Sequence, residues 1–279
     1  DSRRVDDVLY IVSSYSPFLP ELPYAATDTE KLDNYKQVFS SDISDLLPQL
    51  TDTQGNNKNL VEPESCFLPA ESTDKDGFNG IVTLTTIDLT QPENISSICI
   101  NTQVSGLYAT PTSVYLYGTD YQYEDEKTTE TSVIHKFAIA GQNINYVASG
   151  TLDGRFNWQL SNLRFSEKDD DLRVVTTKGD RNIGYDHYLN VLSPIGNELT
   201  LVAQLPNDTY PEKIGKLNNA SIVQEDIKAV RFFEDKAFIV TFLNTDPLYV
   251  LDLADNDQIK ITGALEIPGY SSYLHPISD

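Results

Sequence analysis

Residues 248–265, LYVLDLADNDQIKITGAL, decide the fold: a strand rich in Leu, Val and Tyr enters a polar turn, and a second strand leaves it to close on Ala264 and Leu265. The same grammar recurs in residues 189–205, LNVLSPIGNELTLVAQL, and in residues 135–152, HKFAIAGQNINYVASGTL. The closing leucines, Leu152, Leu205 and Leu265, follow one another at about 50 to 60 residues, and IVTLTTIDL at 81–89 supplies an earlier instance ending on Leu89. Nothing in this rhythm suggests helices alternating with strands.

Short strands repeating at this period are the pattern of propeller blades, because a four-stranded sheet cannot bury both faces until neighbours stack on it. The expected fold is therefore all-β, a β-propeller forming one domain over residues 1–279, with Val8–Ser13 opening the first of about four blades. Residues 270–279 read as the lead-in to a further blade, so the expectation is an incomplete ring of about four to five blades, a fragment of a longer chain. Between blade strands, residues 15–79 break the rhythm and read as a long irregular insertion with short helices. It carries Pro17, Pro20, Pro23 and Pro48, and helical spacing at Leu32, Tyr35 and Phe39 behind an expected N-cap at Asp28.

Composition agrees: Tyr 16 and Phe 11, with Gly and Pro spread along the chain, suit many short strands joined by turns. The net charge of −22 disfavours nucleic acid and anionic membrane surfaces, whose phosphates are bound by Lys and Arg, and favours cations or cationic partners. No apolar run approaches the roughly 20 residues that cross a bilayer, so no membrane span is expected. The chain starts at Asp1 and contains Met 0, which reads as a removed signal peptide or an excised piece. Cys66 and Cys99 are an even pair that would form one disulfide in an oxidising compartment; spacing alone does not place them together. Two thiols and His 3 do not make a zinc pattern.

Several stretches carry a resemblance to a known family: SVIHKFAI (132–139), VASGTLDG (147–154), LRVVTT (172–177), VRFFEDKAFIVTFLNTDPLYVLDLAD (230–255) and ALEIPGYSSYLHP (264–276). In these the chain resembles bacterial secreted proteins with a C-terminal β-propeller distantly similar to WD40 repeats. The resemblance implies an extracytoplasmic, secreted or cell-surface propeller and brings no established activity. It also implies a propeller that runs on past the YLHP segment, and an open ring would expose edges suited to a homodimer. Residues 15–75 follow no pattern of the family, and the loop at Phe165–Asp171 is short for it.

No constellation dictates a reaction, and no catalytic or cofactor-binding residue is assigned. His135, His187 and His275 lack a G-x-S-x-G neighbour, and His135 and His275 read as strand-bridging groups. Phosphate-cradling glycine loops are missing. Asp74-Lys75-Asp76-Gly77 begins like a calcium loop, so Ca²⁺ on Asp74 and Asp76 is the one metal expectation; Glu167–Asp171 and Asp255–Asp257 are acidic alternatives, each also readable as a solvated turn. Tyr115, Tyr117, Tyr121 and Tyr123 alternate and would share one strand face, as a sugar-stacking platform or as packing. The expected role is a binding or scaffold module for protein, peptide or glycan. The alternatives are a secreted polysaccharide hydrolase or lyase with a carboxylate pair in the propeller channel, and a purely architectural part of a longer cell-surface protein.

Overall fold

The computed structural model describes residues 1–16, 22–68, 80–102, 104–124, 127–156, 160–215, 225–242, 246–267 and 274–275. They fall into two compact units, residues 1–103 with 138–145, and residues 104–137 with 146–279.

In the first unit, β1 (Ser2–Val5) and β2 (Val8–Tyr15) form a hairpin turned at Asp6, whose φ of 51° is left-handed. The insertion follows, with α1 (Asp28–Phe39), α2 (Ile43–Leu46), the small hairpin β3 (Gln49–Thr51) and β4 (Asn57–Asn59), the 3₁₀ turn Pro63–Ser65, and β5 (Cys66–Phe67). β6 (Ile81–Asp88) and β7 (Ile95–Ile100) complete a sheet of order β1-β2-β6-β7-β5, antiparallel except where β5 lies parallel to β7. Alternation divides β6 between two faces. Val82 and Leu84 are buried on one, and on the other Thr83 meets Ser13 Oγ at 2.6 Å while Thr85 meets Ser97 Oγ at 2.9 Å. The insertion covers part of this second face, where Leu47 and Val61 pack with Cys99, Cys66 and Ile81.

Cys66 and Cys99 are directly opposed in β5 and β7 and joined by a disulfide. Replacing both with Ala is expected to cost about 3 to 4 kcal/mol, because the bridge closes a loop of about 30 residues in the unfolded chain. Calorimetry of the C66A/C99A protein beside wild type measures this, and an unchanged transition would show that the bridge does not hold the insertion.

The second unit begins with β8 (Gly106–Ala109), β9 (Ser113–Glu124), β10 (Lys127–Ala140) and β11 (Asn143–Asp153), of which the β10–β11 tip at 138–145 counts with the first unit. A 3₁₀ turn at Ser161–Arg164 leads to β12 (Phe165–Lys168), β13 (Asp171–Asp180), β14 (Gly184–Ile195) and β15 (Glu198–Leu205). β16 (Asp226–Phe233), β17 (Lys236–Phe242), β18 (Asp246–Asp252) and β19 (Lys260–Ile267) form a separate antiparallel sheet. The first eight strands count as one sheet, yet they are two four-stranded meanders joined by a single parallel bridge, Ser149 to Glu198. That approach requires glycine at position 150, where a Cβ would meet the Leu199 carbonyl oxygen at 2.5 Å.

Both faces of the middle meander are buried, as stacked sheets demand. β13 sends Leu172 and Val174 into a core with Tyr115, Tyr117, Ile134 and Phe165, and sends Val175 into a second core with Ile227, Ile239, Tyr249 and Leu251. In the first core, Tyr117 stacks on Phe165 at 4.3 Å between centroids and meets Phe156 edge-on at 5.1 Å.

The repeated grammar has a structural meaning: residues 135–152, 189–205 and 248–265 are the β10–β11, β14–β15 and β18–β19 hairpins, each the last hairpin of its four-stranded set. Other expectations need correction. Phe165–Asp171 is a hairpin, β12 turning into β13 through Asp169 and Asp170 at φ 52° and 74°. The N-cap of α1 is Thr27, whose hydroxyl accepts from Glu30 N while the Glu30 carboxylate accepts from Thr27 N, a capping box. The tyrosine platform divides: Tyr115 and Tyr117 are core residues, and Tyr121 and Tyr123 are 46% and 73% exposed, because β9 runs out of the packed sheet.

Candidate functional site

Asp74 and Asp76 lie outside the described residues. The other acidic runs are occupied by the protein itself. Asp171 accepts from Ser193 Oγ and from Asn256 Nδ2, and Asp255 accepts from Asp257 N at 2.9 Å at the head of a 3₁₀ turn. Among the described residues no three His, Cys, Asp or Glu side chains converge as a metal site would require.

Glu167 is the hub of a buried cluster. Its Oε2 accepts from Thr110 Oγ1 at 2.6 Å, its Oε1 accepts from Ser113 Oγ at 2.8 Å and Tyr115 Oη at 2.7 Å, and Lys136 Nζ stands 3.1 Å from Oε1. Lys136 also pairs with the largely exposed Asp170 and lies 5.5 Å from the Tyr115 ring centre. Burial alone would raise the Glu167 carboxyl, but the hydroxyl donors and Lys136 outweigh it and hold the group below its ordinary range. A carboxylate so fixed in its ionised form makes a poor general acid and a strong tie between β9, β10 and β12.

His135 plays a comparable part between β10 and β11. Tyr146 Oη donates to Ser149 Oγ at 2.8 Å, and Ser149 Oγ is hydrogen-bonded to His135 Nδ1. Burial lowers His135 to about 4.

A second set of polar groups gathers at the strand ends of the second unit. Arg155, bridged to Thr177 of β13, holds the Glu130 carboxylate with Nη1 2.6 Å from each oxygen. Arg164, buried in the 3₁₀ turn, donates to Thr177 Oγ1 at 3.1 Å. Thr177 Oγ1 is 3.0 Å from His187 Nδ1, and His187 Nε2 is 2.8 Å from the Glu225 carbonyl oxygen. A carbonyl only accepts, so Nε2 carries the proton and Nδ1 accepts from Thr177. Burial lowers His187 to about 4 and lowers Arg164 to about 10, which leaves the guanidinium charged at neutral pH.

The row continues outward. Tyr185 stacks on His187 with centroids 5.7 Å apart and stays partly exposed. The Glu225 carboxylate accepts from Thr241 Oγ1 at 2.7 Å; burial raises its pKa, and the charge of Glu266 adds to the rise. Beside it the Tyr249 hydroxyl is buried against Thr241 and Gly215. Arginines, tyrosines and carboxylates contributed by three successive four-stranded sets thus form one belt. Of its members, the sequence reading singled out only His187. The others come from strands and strand ends that run from Glu130 to Glu266, and only the sheet stacking brings them together.

Among the described residues no helix is long and apolar enough to cross a membrane. An uncharacterized protein of Methanocaldococcus jannaschii is 41% identical over 133 residues, 48% of this chain and 19% of that protein. An uncharacterized protein of Archaeoglobus fulgidus is 43% identical over 98 residues, 34% of this chain and 15% of that protein. The chain thus spans less than a fifth of the length of either relative, and both are archaeal, which leaves the bacterial setting implied by the resemblance without support. The model of the beta propeller domain matches residues 1–279. Stacked four-stranded meanders and a match over the full sequence agree: the chain belongs to the beta propeller domain family.

Proposed function

We propose that the chain is an extracytoplasmic binding or scaffold module, its five-stranded sheet and its three four-stranded sets being four blades, which engages protein, peptide or glycan through the strand-end belt. The observation that carries this reading is the belt itself. Arg155 just after β11, Tyr185 on β14, and the adjacent Glu225 and Asp226 at the start of β16 each remain partly exposed, and His187 and Arg164 brace them from the interior. Partly exposed arginine, tyrosine and carboxylate side chains on rigid strands are suited to orienting a polar ligand. The disulfide and the acidic surface support a location outside the cytoplasm.

A screen of the chain on glycan and peptide arrays tests the reading. The leading ligand should lose at least tenfold in affinity for the Arg155→Ala/Tyr185→Ala protein; no ligand, or one indifferent to both changes, would remove the belt from consideration. One observation favours a second reading, a polysaccharide hydrolase or lyase: Glu225 is held toward its protonated form and feels the charge of Glu266, as a general acid beside a second carboxylate would. Under that reading Glu225→Gln abolishes turnover of a polysaccharide while leaving its binding intact, and under the binding reading there is no turnover to abolish.

A further inference from the structure

In the first unit, β7 is covered unevenly along its outer edge. β6 pairs with it from Ile95 to Ile100, but β5 reaches only Cys99 and Ile100. Just before β5 the chain passes through the 3₁₀ turn Pro63–Ser65, and this turn, begun by a residue with no N–H, carries it off the edge. Among the described residues no strand pairs with the outer side of Ile95–Ile98.

The direction of the exposed peptide groups follows from the ladder. Thr86 Oγ1 reaches Ser96 O, so Ser96 faces β6, and by alternation Ile95 and Ser97 turn their N–H and C=O outward. Cys99 lies in the same outward series, and β5 takes up that end. Beside the uncovered length runs a groove of about 370 Å³, walled by Leu50, Lys58, Leu60 and Glu62 on one side and by Ile95 and Ser97 on the other.

We propose that this groove takes an extended, Lys- or Arg-bearing peptide segment of another protein, added as a strand to β7 beside Ile95–Ile98. This rests on the reading of the chain as a binding module but uses residues separate from the belt. Main-chain hydrogen bonds to an open edge recognise an extended backbone, and alternate side chains set the preference. Four residues in a strand span about 13 Å, and every second one would face Leu50, Leu60 and Ile95. The charge preference comes from the net −22 of the chain, which draws cationic segments and repels acidic ones; in the groove wall itself Glu62 is balanced by Lys58.

The probes are two end-capped hexapeptides, one alternating Val and Lys and the other Val and Glu, titrated against the full chain by fluorescence anisotropy, with amide hydrogen exchange read at Ile95 and Ser97. The Lys peptide should bind and slow both amides. Ser97→Pro removes an outward N–H and leaves the β6 ladder intact, so it should weaken binding at least tenfold; Glu62→Lys should weaken it several-fold and serves as the test if Ser97→Pro fails to melt cooperatively. Lys213→Ala, at an exposed position outside both the groove and the belt, should leave hexapeptide binding unchanged. Equal binding of the Glu peptide, indifference to both groove variants, or a wild-type dimer that Ser97→Pro converts to monomer, meaning a second copy fills the edge, would each overturn the proposal. If array ligands bind and the hexapeptides do not, the groove assignment fails alone; if neither binds, the module reading fails with it.

Discussion

Glu167→Ala is expected to destabilise the protein by about 3 to 5 kcal/mol, the usual result of removing one member of a buried ion pair. The loss is large because the substitution strands several partners at once. Lys136, 2% exposed at its side chain, keeps the Tyr115 ring and, as acidic partner, Asp170, which at 70% exposed is well screened by water. Thr110, Ser113 and Tyr115 lose their shared acceptor inside a packed core. Glu167→Gln retains an acceptor and should cost less. Lys136→Met should also cost less, since it leaves Glu167 with three hydroxyl donors. Urea unfolding of the three variants and of the Lys136→Met/Glu167→Gln double variant gives the coupling between the two positions. If Glu167→Ala unfolds at the wild-type midpoint, the cluster does not hold β9, β10 and β12 together.

The same cluster shows where sequence reading stops. EKDDD at 167–171 reads as an acidic loop because composition carries no direction: Glu167 points into the core, Asp169 and Asp170 make the turn, and Asp171 meets Ser193. The hairpins were legible because their information is local. A run of β-branched and aromatic residues, a polar turn and a second run fit in under twenty positions, and a blade needs that hairpin each time. What was not legible depends on partners distant in sequence. Tyr115 and Tyr123 are of one residue type on one strand face, yet the first is buried in a core with Phe165 and Leu172 and the second is exposed. Leu32, Tyr35 and Phe39 have helical spacing and lie on a helix, but they are 52%, 66% and 82% exposed, so their spacing identified the element without identifying a core. The belt is the extreme case: Arg155, His187 and Glu225 meet only because three meanders present their strand ends at the same place.

Lowering the pH from about 7 to about 5 is expected to remove about 2 kcal/mol of stability for each of His135 and His187, near 4 in total. Both are lowered to about 4 by burial, whereas in the unfolded chain each titrates near 6.5. Between those values the unfolded state binds protons that the folded state refuses, so stability is full above the unfolded value and falls as the pH drops toward the folded one. Geometry explains the refusal. At His187, Nδ1 accepts a hydroxyl hydrogen bond from Thr177 that a proton placed there would break, and the new charge would also face buried Arg164; at His135, burial between β10 and β11 disfavours the charge. Glu225, with its raised carboxyl, works in the opposite direction and offsets a little of the loss, while Glu167, held low, gives way only at a pH below the ordinary carboxylate range. Replacing one histidine by Gln removes its titration, so His187→Gln and His135→Gln should each lose about half as much stability as wild type between the two pH values. Urea midpoints for the three proteins at both pH values decide the matter, and a wild-type midpoint that does not move between them would mean that the two rings are charged, or free to become so, in the folded protein.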